Sequence, residues 1–186
     1  MPERQTRLEG KVAVVTGAGA TGSRDFVGIG QATSILFARE GARVLLMDRD
    51  QRNAETTLAA IKEEGGEASV FVGDVTSNAD CHDMAQAAVE RYGELNVLVN
   101  NVGINGAGSV TDVDEDFWDT VIDVNLKSVM LTSKHAIPRM IEAGGGSIIN
   151  LSSIVGLRAG SGRPNHPYAA SKGGIIGLSN SMAVHY

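Results

Sequence analysis

Short apolar runs rich in β-branched residues alternate with stretches of helical periodicity along the whole chain. Runs that are apolar on both faces are typical of parallel strands, because helices cover both sides of a parallel sheet. The alternation indicates right-handed crossovers in a doubly wound α/β sheet, for which we expect the strand order 3-2-1-4-5. The predicted strands are 12–16, 42–47, 68–72, 95–99 and 147–151.

The predicted helices between these strands have recognisable start and stop residues. Gly41 ends the first helix and Asp50 caps the second. A long helical stretch covers about 114–143, and the last helix begins near Tyr168. The chain has no internal repeat and no low-complexity linker, so we expect one domain over residues 1–186.

A glycine-rich loop follows the first predicted strand. Residues 17–22 match the G-x-G-x-x-G motif literally, but the helical pattern begins only at Gly28 and Gly30. Because the motif should open a helix, we place Gly28, Ile29 and Gly30 at the helix start, with Gly17 ending the strand. A dinucleotide pyrophosphate can then approach bare backbone N–H groups. A surface turn is the alternative, but the position between a strand and a helix favours cofactor binding.

Acidic residues follow the second and third predicted strands. Asp48 can accept hydrogen bonds from both ribose hydroxyls of an adenosine and would repel a 2′-phosphate, which favours NAD over NADP. Arg49 and Arg24 weaken this preference, because either guanidinium can pair with a 2′-phosphate. NADP is therefore not excluded. Asp74 can reach the adenine from its strand end, or it can simply cap a turn.

Tyr168 and Lys172 lie four positions apart at the start of the last helix, which places both on one face. The ammonium and the positive end of the helix both favour a phenolate. Such a tyrosine can exchange a proton with a substrate oxygen while a hydride moves to or from a nicotinamide. Ser153 follows the fifth strand, at the edge where open α/β sheets bind ligands, and its hydroxyl can hold the same oxygen.

Taken together, these motifs resemble the short-chain dehydrogenase/reductase family. The resemblance implies a Rossmann-like fold and spans nearly the whole chain. The matching features occur in the family's order, as Thr16-Gly17 with Gly28-x-Gly30, Gly73-Asp74-Val75, Asn100-Asn101-Val102-Gly103, Asn125, Ser152-Ser153 and Tyr168-Ala169-Ala170-Ser171-Lys172.

The resemblance also implies roles for individual residues. Tyr168 would be the general acid/base, and Lys172 would also bind the nicotinamide ribose. Ser153 would position the carbonyl or hydroxyl, and Asn125 would hold a water in a proton relay behind Lys172. A homodimer or homotetramer is implied as well. Further cofactor contacts would come from Asp74, Val75, Asn101 and Gly103.

The chain departs from the family pattern in two places. Ten residues lie between Gly17 and Gly28, a longer loop than is usual, and 20–27 would form a flap over the pyrophosphate or the substrate. The chain also ends at Tyr186, directly after the helix that carries Tyr168. The last two strands of the family and its substrate-covering segment are then missing, which favours a C-terminally incomplete protein.

Composition narrows the classes of partner. The formal net charge is −6, which argues against nucleic acid or an anionic membrane surface. The single cysteine, Cys81, cannot form a disulfide framework or a cysteine zinc site, and the polar N-terminus has no signal-peptide pattern. No histidine pair has metal-ligand spacing, so no metal site is expected. We expect a cytoplasmic protein with a small-molecule substrate.

The sequence therefore predicts an oxidoreductase that interconverts a secondary alcohol and a ketone with NAD(H). An NADPH-dependent reductase of 3-oxoacyl thioesters is the enzyme alternative, and a dinucleotide-binding fragment without turnover is the non-enzyme alternative. The substrate pocket would be formed by 104–110 and 154–167, whose small, weakly polar residues favour a small or apolar substrate. His166, within the second segment, is interpreted as a solvated loop residue, with a position facing the substrate mouth as the alternative.

Overall fold

The computed structural model describes residues 6–21, 26–158 and 162–186. Its five strands form a parallel sheet in the order β3-β2-β1-β4-β5. The predicted α/β class and strand order are confirmed, and each strand bound lies within two residues of its predicted position. The strands are β1 (Val12–Thr16), β2 (Arg43–Asp48), β3 (Glu67–Val72), β4 (Val97–Asn100) and β5 (Ser147–Asn150).

Six α-helices in the described ranges connect and follow these strands. The carboxylate of Asp50 accepts the Asn53 N–H at 3.0 Å, and it caps the second helix as predicted. The long helical stretch expected at 114–143 consists of two α-helices joined by a π-helical segment, Asp123–Lys127. The helices are α1 (Ile29–Arg39), α2 (Gln51–Glu63), α3 (Asn78–Tyr92), α4 (Glu115–Ile122), α5 (Ser128–Glu142) and α6 (His166–His185).

The core lies on both faces of the sheet, and β1 is its centre because all five of its residues are buried. Alternate residues of β1 point to opposite faces. Val12 and Val14 pack in the cluster that includes Met84 from α3, while Ala13 and Val15 pack in a second cluster on the other face. This two-sided burial is what the apolar runs of the sequence predicted.

All five strands are parallel, so their carboxyl ends lie along one edge of the sheet, hereafter the carboxyl edge. At this edge Asn100 of β4 donates a 2.8 Å hydrogen bond to Asn150 of β5. The Thr132 hydroxyl of α5 donates a 2.7 Å hydrogen bond to the side-chain oxygen of Asn100. These side-chain bonds fix the ends of β4 and β5, from which the candidate site residues follow. Within the described part of the chain, no helix has both the length and the apolar character needed to cross a membrane.

Candidate active site

The start of α1 packs directly against the end of β1. Gly28 precedes α1 in an extended conformation, and the helix begins at Ile29, as the pattern of the sequence predicted. A Cβ on Gly30 would lie 2.1 Å from the carbonyl oxygen of Gly17. Gly17 itself has a φ of +63°, which favours glycine. Only bare backbone therefore allows the helix to begin this close to the strand.

Asn101 ties this turn to β4. Its side-chain amide donates to the carbonyl oxygens of Thr16 at 3.1 Å and Gly17 at 3.0 Å. Its backbone N–H donates to the Thr16 hydroxyl at 3.1 Å, and that hydroxyl donates to the Val99 carbonyl at 3.2 Å. The backbone of the glycine turn is thus held by the residue that follows the neighbouring strand β4.

A cavity of about 430 Å³ opens at the carboxyl edge above this turn. Nine of the residues predicted to contact a cofactor line it. Tyr168 and Lys172 lie outside this lining but close by, because a Cβ on Gly103 would be 3.3 Å from the Lys172 Nζ atom. The nine lining residues are Gly17, Gly28, Ile29, Gly30, Asp48, Asp74, Val75, Asn101 and Gly103.

Asp48 borders the cavity with both carboxylate oxygens already bonded to backbone. One oxygen accepts the Gly19 N–H at 2.8 Å, and the other accepts the Asp50 N–H at 3.0 Å. A Cβ on Gly19 would lie 2.6 Å from the carboxylate, so Gly19 is a contact residue that the sequence reasoning missed. The literal G-x-G match at 17–19 was the signal that could have identified it. Arg49 also lines the cavity, whereas Arg24 lies outside the described residues.

Asp74 both lines the cavity and closes a turn. Its carboxylate accepts the backbone N–H and the hydroxyl of Thr76, each at 2.8 Å. The Thr76 N–H bond is the main reason that the pKa of Asp74 is lowered, and the Arg49 charge adds to the effect. Asp74 therefore closes a turn, which is one of its two sequence interpretations, and its contact with an adenine stays a prediction. Thr76 is a further lining residue that was not predicted.

Lys172 is buried beside the ring of Tyr168. Lys172 is only 4% exposed, and its Nζ atom lies 5.6 Å from the centre of the Tyr168 ring. Nζ donates a 2.7 Å hydrogen bond to the carbonyl oxygen of Leu151, at the end of β5. Burial lowers the pKa of Lys172, because an apolar environment disfavours the charged form. The spacing of four positions thus brings the two side chains together as expected.

Asn125 lies in the π-helical segment and is fully buried. It accepts the Ile104 N–H at 2.7 Å and donates to the Ile104 carbonyl at 2.9 Å. It also donates to the hydroxyl of Ser171, the neighbour of Lys172, at 3.1 Å. A Cβ on Gly103 would lie 3.5 Å from the Asn125 side-chain oxygen. Asn125 therefore joins the loop after β4 to the first turns of α6.

Ser153 begins a short 3₁₀ segment, Ile154–Gly156, and its hydroxyl accepts the Val155 N–H at 3.4 Å. The segment lies against α6 at the backbone of Lys172. The hydroxyl of Ser152 donates to the Lys172 carbonyl at 2.7 Å, and a Cβ on Gly156 would lie 2.7 Å from the Lys172 carbonyl carbon. These contacts bring the segment that carries Ser153 to the helix that carries the other predicted catalytic residues.

Cys81 lies apart from this chemistry. It is fully buried in α3, and its thiol donates to the Val75 carbonyl at 3.3 Å. Burial raises its pKa to about 12, so the position near a helix N-terminus does not activate the thiol. Among the described residues, no group of three or more His, Cys, Asp or Glu side chains is arranged to hold a metal ion.

Residues 11–186 match the sequence profile of the family described as short chain dehydrogenase. The chain belongs to the short-chain dehydrogenase family. The resemblance inferred from the motifs is thereby confirmed, and the short-chain dehydrogenases are oxidoreductases. The Tyr168–Lys172 pair and the glycine turn lie within the matched region.

Named relatives of this short-chain dehydrogenase include both reductases and dehydrogenases. It is 39% identical over 177 residues to a 3-oxoacyl-(acyl-carrier-protein) reductase of Thermotoga maritima, covering 95% of this chain and 68% of the relative. It is 40% identical over 181 residues to 2-(S)-hydroxypropyl-CoM dehydrogenase 3 of Xanthobacter autotrophicus, covering 97% and 67%. The chain thus spans about two thirds of the length of these curated relatives.

Solved structures agree with the sequence relatives. A crystal structure from Burkholderia xenovorans, assigned to the short-chain dehydrogenases/reductases, superposes with a TM-score of 0.93 at 38% identity, covering 97% of this chain and 71% of that one. The crystal structure of levodione reductase superposes with a TM-score of 0.88 at 31% identity, covering 97% and 67%. The strand order and the helices around the site are therefore those of the family.

Proposed function

We propose that this short-chain dehydrogenase binds a nicotinamide dinucleotide at the carboxyl edge and interconverts a secondary alcohol and a ketone. The observation that carries the proposal is the buried Lys172 ammonium 5.6 Å from the Tyr168 ring centre. This contact places a cation beside the tyrosine whose hydroxyl is proposed to exchange a proton with the substrate oxygen.

The residues present fit a dinucleotide. The Gly17–Gly30 contact sets the N-terminus of α1 directly at the end of β1, where a pyrophosphate would approach it. The backbone at Gly28, Ile29 and Gly30 would hold the pyrophosphate. When bound, the cofactor supplies or accepts the hydride. Residues proposed to contact its adenosine half are Asp48, Asp74 and Val75, and those proposed nearer the nicotinamide are Asn101, Gly103, Tyr168 and Lys172.

The proton is handled by the chain's own residues. In the reducing direction the Tyr168 hydroxyl gives its proton to the substrate carbonyl oxygen, and in the oxidising direction the phenolate takes the alcohol proton. The Ser153 hydroxyl donates a hydrogen bond to the same oxygen. Asn125, bonded to Ile104 and near Lys172, is proposed to hold a water through which the proton exchanges with solvent. Lys172 is proposed to bind the nicotinamide ribose.

Loss of turnover in Tyr168→Phe tests the mechanism. The variant keeps the ring and removes only the hydroxyl, so cofactor binding should persist while hydride transfer, followed by nicotinamide absorbance, stops. Turnover by Tyr168→Phe at the rate of the parent would refute the assignment. If the parent itself binds cofactor and turns over no alcohol or ketone, the chain is a dinucleotide-binding fragment without catalysis.

NAD is the proposed cofactor, with NADP as the alternative. Asp48 borders the cavity with a carboxylate that would repel a 2′-phosphate, and Arg49 in the same lining is the feature that favours NADP. Calorimetric titration with both cofactors distinguishes them. We expect tighter binding of NAD in the parent and a loss of that preference in Asp48→Ala. Tighter NADP binding by the parent would overturn the preference.

A 3-oxoacyl thioester is the alternative substrate class. The relative from Thermotoga maritima named as a 3-oxoacyl reductase supports it. Exposed apolar side chains on both segments predicted to form the pocket favour an apolar substrate, namely Val110, Ile154 and Leu157, which are 70%, 67% and 69% exposed. The test compares turnover of a 3-oxoacyl thioester with turnover of a simple ketone of equal chain length that lacks the thioester. Both are assayed at saturating NADH or NADPH, and the comparison shows whether the thioester is needed.

Two broader expectations belong to the same proposal. A homodimer or homotetramer is expected from the family, and light scattering of the purified protein measures it. A cytoplasmic location remains a prediction from composition, which cell fractionation tests.

A further inference from the structure

The loop between β4 and α4 folds onto the segment that precedes α6. The Gly108 N–H donates to the Pro164 carbonyl at 2.9 Å, and the His166 N–H donates to the Gly108 carbonyl at 3.0 Å. Gly108 and Asn165 thereby form an isolated parallel bridge. Two segments that sequence reasoning assigned to the substrate pocket are thus joined at one point.

A side chain adds a third link at the same point. The Val110 N–H donates to the Nδ1 atom of His166 at 3.0 Å. Because a backbone N–H can only donate, Nδ1 must carry its lone pair, and the ring is neutral with its proton on Nε2. The sequence interpretation of His166 as a solvated loop residue is therefore incomplete, since the exposed ring has a specific backbone partner.

The turn that His166 holds is internally rigid. The carbonyl oxygen of Ser109 accepts the N–H groups of Asp112 at 3.2 Å and Val113 at 2.9 Å. The Ser109 hydroxyl accepts the Thr111 N–H at 3.3 Å and is also bonded to the Asp112 carboxylate. These bonds all lie within residues 109–113, so the turn is held together without help from α6. Its position relative to α6 then depends on the few links between them.

The turn lies close to the predicted general acid/base. A Cβ on Gly106 would be 2.8 Å from the backbone nitrogen of Tyr168 and 3.2 Å from the Cβ of Pro167. His166 itself is the first residue of α6, two positions before Tyr168. A displacement of the turn would therefore change the shape of the pocket directly beside Tyr168.

We propose that His166 is a positioning residue whose neutral ring latches the turn 108–113 onto the first turn of α6. The latch fixes the turn, which carries the exposed Val110 side chain, relative to the first turn of α6. The inference rests on the proposed oxidoreductase function for its kinetic consequence, but the latch itself is a structural contact that can be measured without turnover.

Two substitutions at His166 test the role of the Nδ1 acceptor separately from the rest of the ring. His166→Ala removes the acceptor, whereas His166→Asn places an amide oxygen where Nδ1 lies and keeps it. His185→Ala is the matched control, because His185 is an exposed histidine at the other end of α6. We expect His166→Ala to raise KM for the ketone about fivefold, the equivalent of one hydrogen bond, with kcat and cofactor Kd little changed. His166→Asn and His185→Ala should keep the parent KM.

Amide hydrogen exchange at residues 108–113 gives a readout that needs no substrate. We expect faster exchange of the Val110 N–H in His166→Ala, and parent-like protection in His166→Asn. Unchanged exchange in His166→Ala would overturn the latch even if the protein is an active enzyme. Altered exchange together with an unchanged KM would overturn the positioning role. If the parent shows no turnover, the proposed function fails while the exchange result still decides the latch.

Discussion

Substitution of Gly30 by alanine tests whether the close contact between α1 and β1 is needed for stability and for cofactor binding. The new Cβ would lie 2.1 Å from the Gly17 carbonyl oxygen and 2.6 Å from the Asn101 amide nitrogen. To reach the 3.4 Å at which ordinary contact begins, the helix start and the Gly17 carbonyl would have to separate by about 1.3 Å. The Asn101 amide nitrogen donates both of its side-chain hydrogen bonds beside this contact, to the carbonyl oxygens of Thr16 and Gly17. A shift of the Gly17 carbonyl or of the amide would therefore alter both bonds.

The expected change in the free energy of unfolding of Gly30→Ala is the sum of opposing effects. Alanine is a better helix residue than glycine by about 1 kcal/mol, which alone would stabilise the variant. Overpacking costs about 1–3 kcal/mol, and each Asn101 hydrogen bond that is lost costs about 1 kcal/mol more. The free energy of unfolding should therefore fall by roughly 2–4 kcal/mol in Gly30→Ala. For a chain of this size that corresponds to a Tm lower by roughly 5–15 °C.

Gly177→Ala is the matched control. Gly177 also lies within a helix, α6, but a Cβ there would have no neighbour within 4 Å. Only the helix preference remains, so this variant should gain about 0.5–1 kcal/mol. Thermal unfolding followed by circular dichroism measures both variants, and calorimetric titration measures their cofactor affinity. If Gly30→Ala unfolds at or above the parent temperature and binds cofactor equally well, the steric argument is wrong.

Three further predictions concern buried or hydrogen-bonded side chains. Asn125→Ala leaves the Ile104 N–H and carbonyl without partners, and chemical denaturation should show a loss of about 2–3 kcal/mol. The Cys81 thiol, with its pKa raised to about 12, should resist alkylation at pH 8 in the folded protein and react after unfolding, as mass spectrometry would show. The pKa of Asp74 in the folded protein is lowered below its usual 3.8. The contribution of its carboxylate to the free energy of unfolding is therefore present above pH 3.8 and is lost as the pH falls through the pKa of the folded state. Denaturation across that range should show Asp74→Asn less stable than the parent at pH 7 and equal to it in strong acid.

The sheet could be predicted from the sequence because its signals are local and repeated. Each strand is a short apolar run, and the two-sided burial of β1 follows from that pattern alone. The start of α1 was also predictable, since the helical period begins only after Gly28. Parallel strands with crossovers then allow few topologies, so the order of the strands follows from general rules.

Contacts made across the fold were not predictable in the same way. Gly19 was set aside because its motif did not open a helix, yet its backbone donates to the Asp48 carboxylate. The π-helical segment around Asn125 has no signature in a sequence that reads as one continuous helix. The Val110–His166 bond joins positions far apart in the chain. Each depends on where two distant segments come together, which local patterns do not encode.

Departures from ordinary local preferences are concentrated at the carboxyl edge of the sheet. Lys172 is buried although desolvation disfavours its charge, as the lowered pKa shows. Asn125 is buried in a π-helical segment, a rare conformation that is often found at functional sites. Gly30 begins a helix where alanine would be intrinsically better. Each feature departs from an ordinary local preference, and all three lie at the carboxyl edge of the sheet. Local preferences are therefore overridden where the proposed chemistry needs close backbone approach and a buried cation, and the remainder of the sheet keeps an ordinary apolar core.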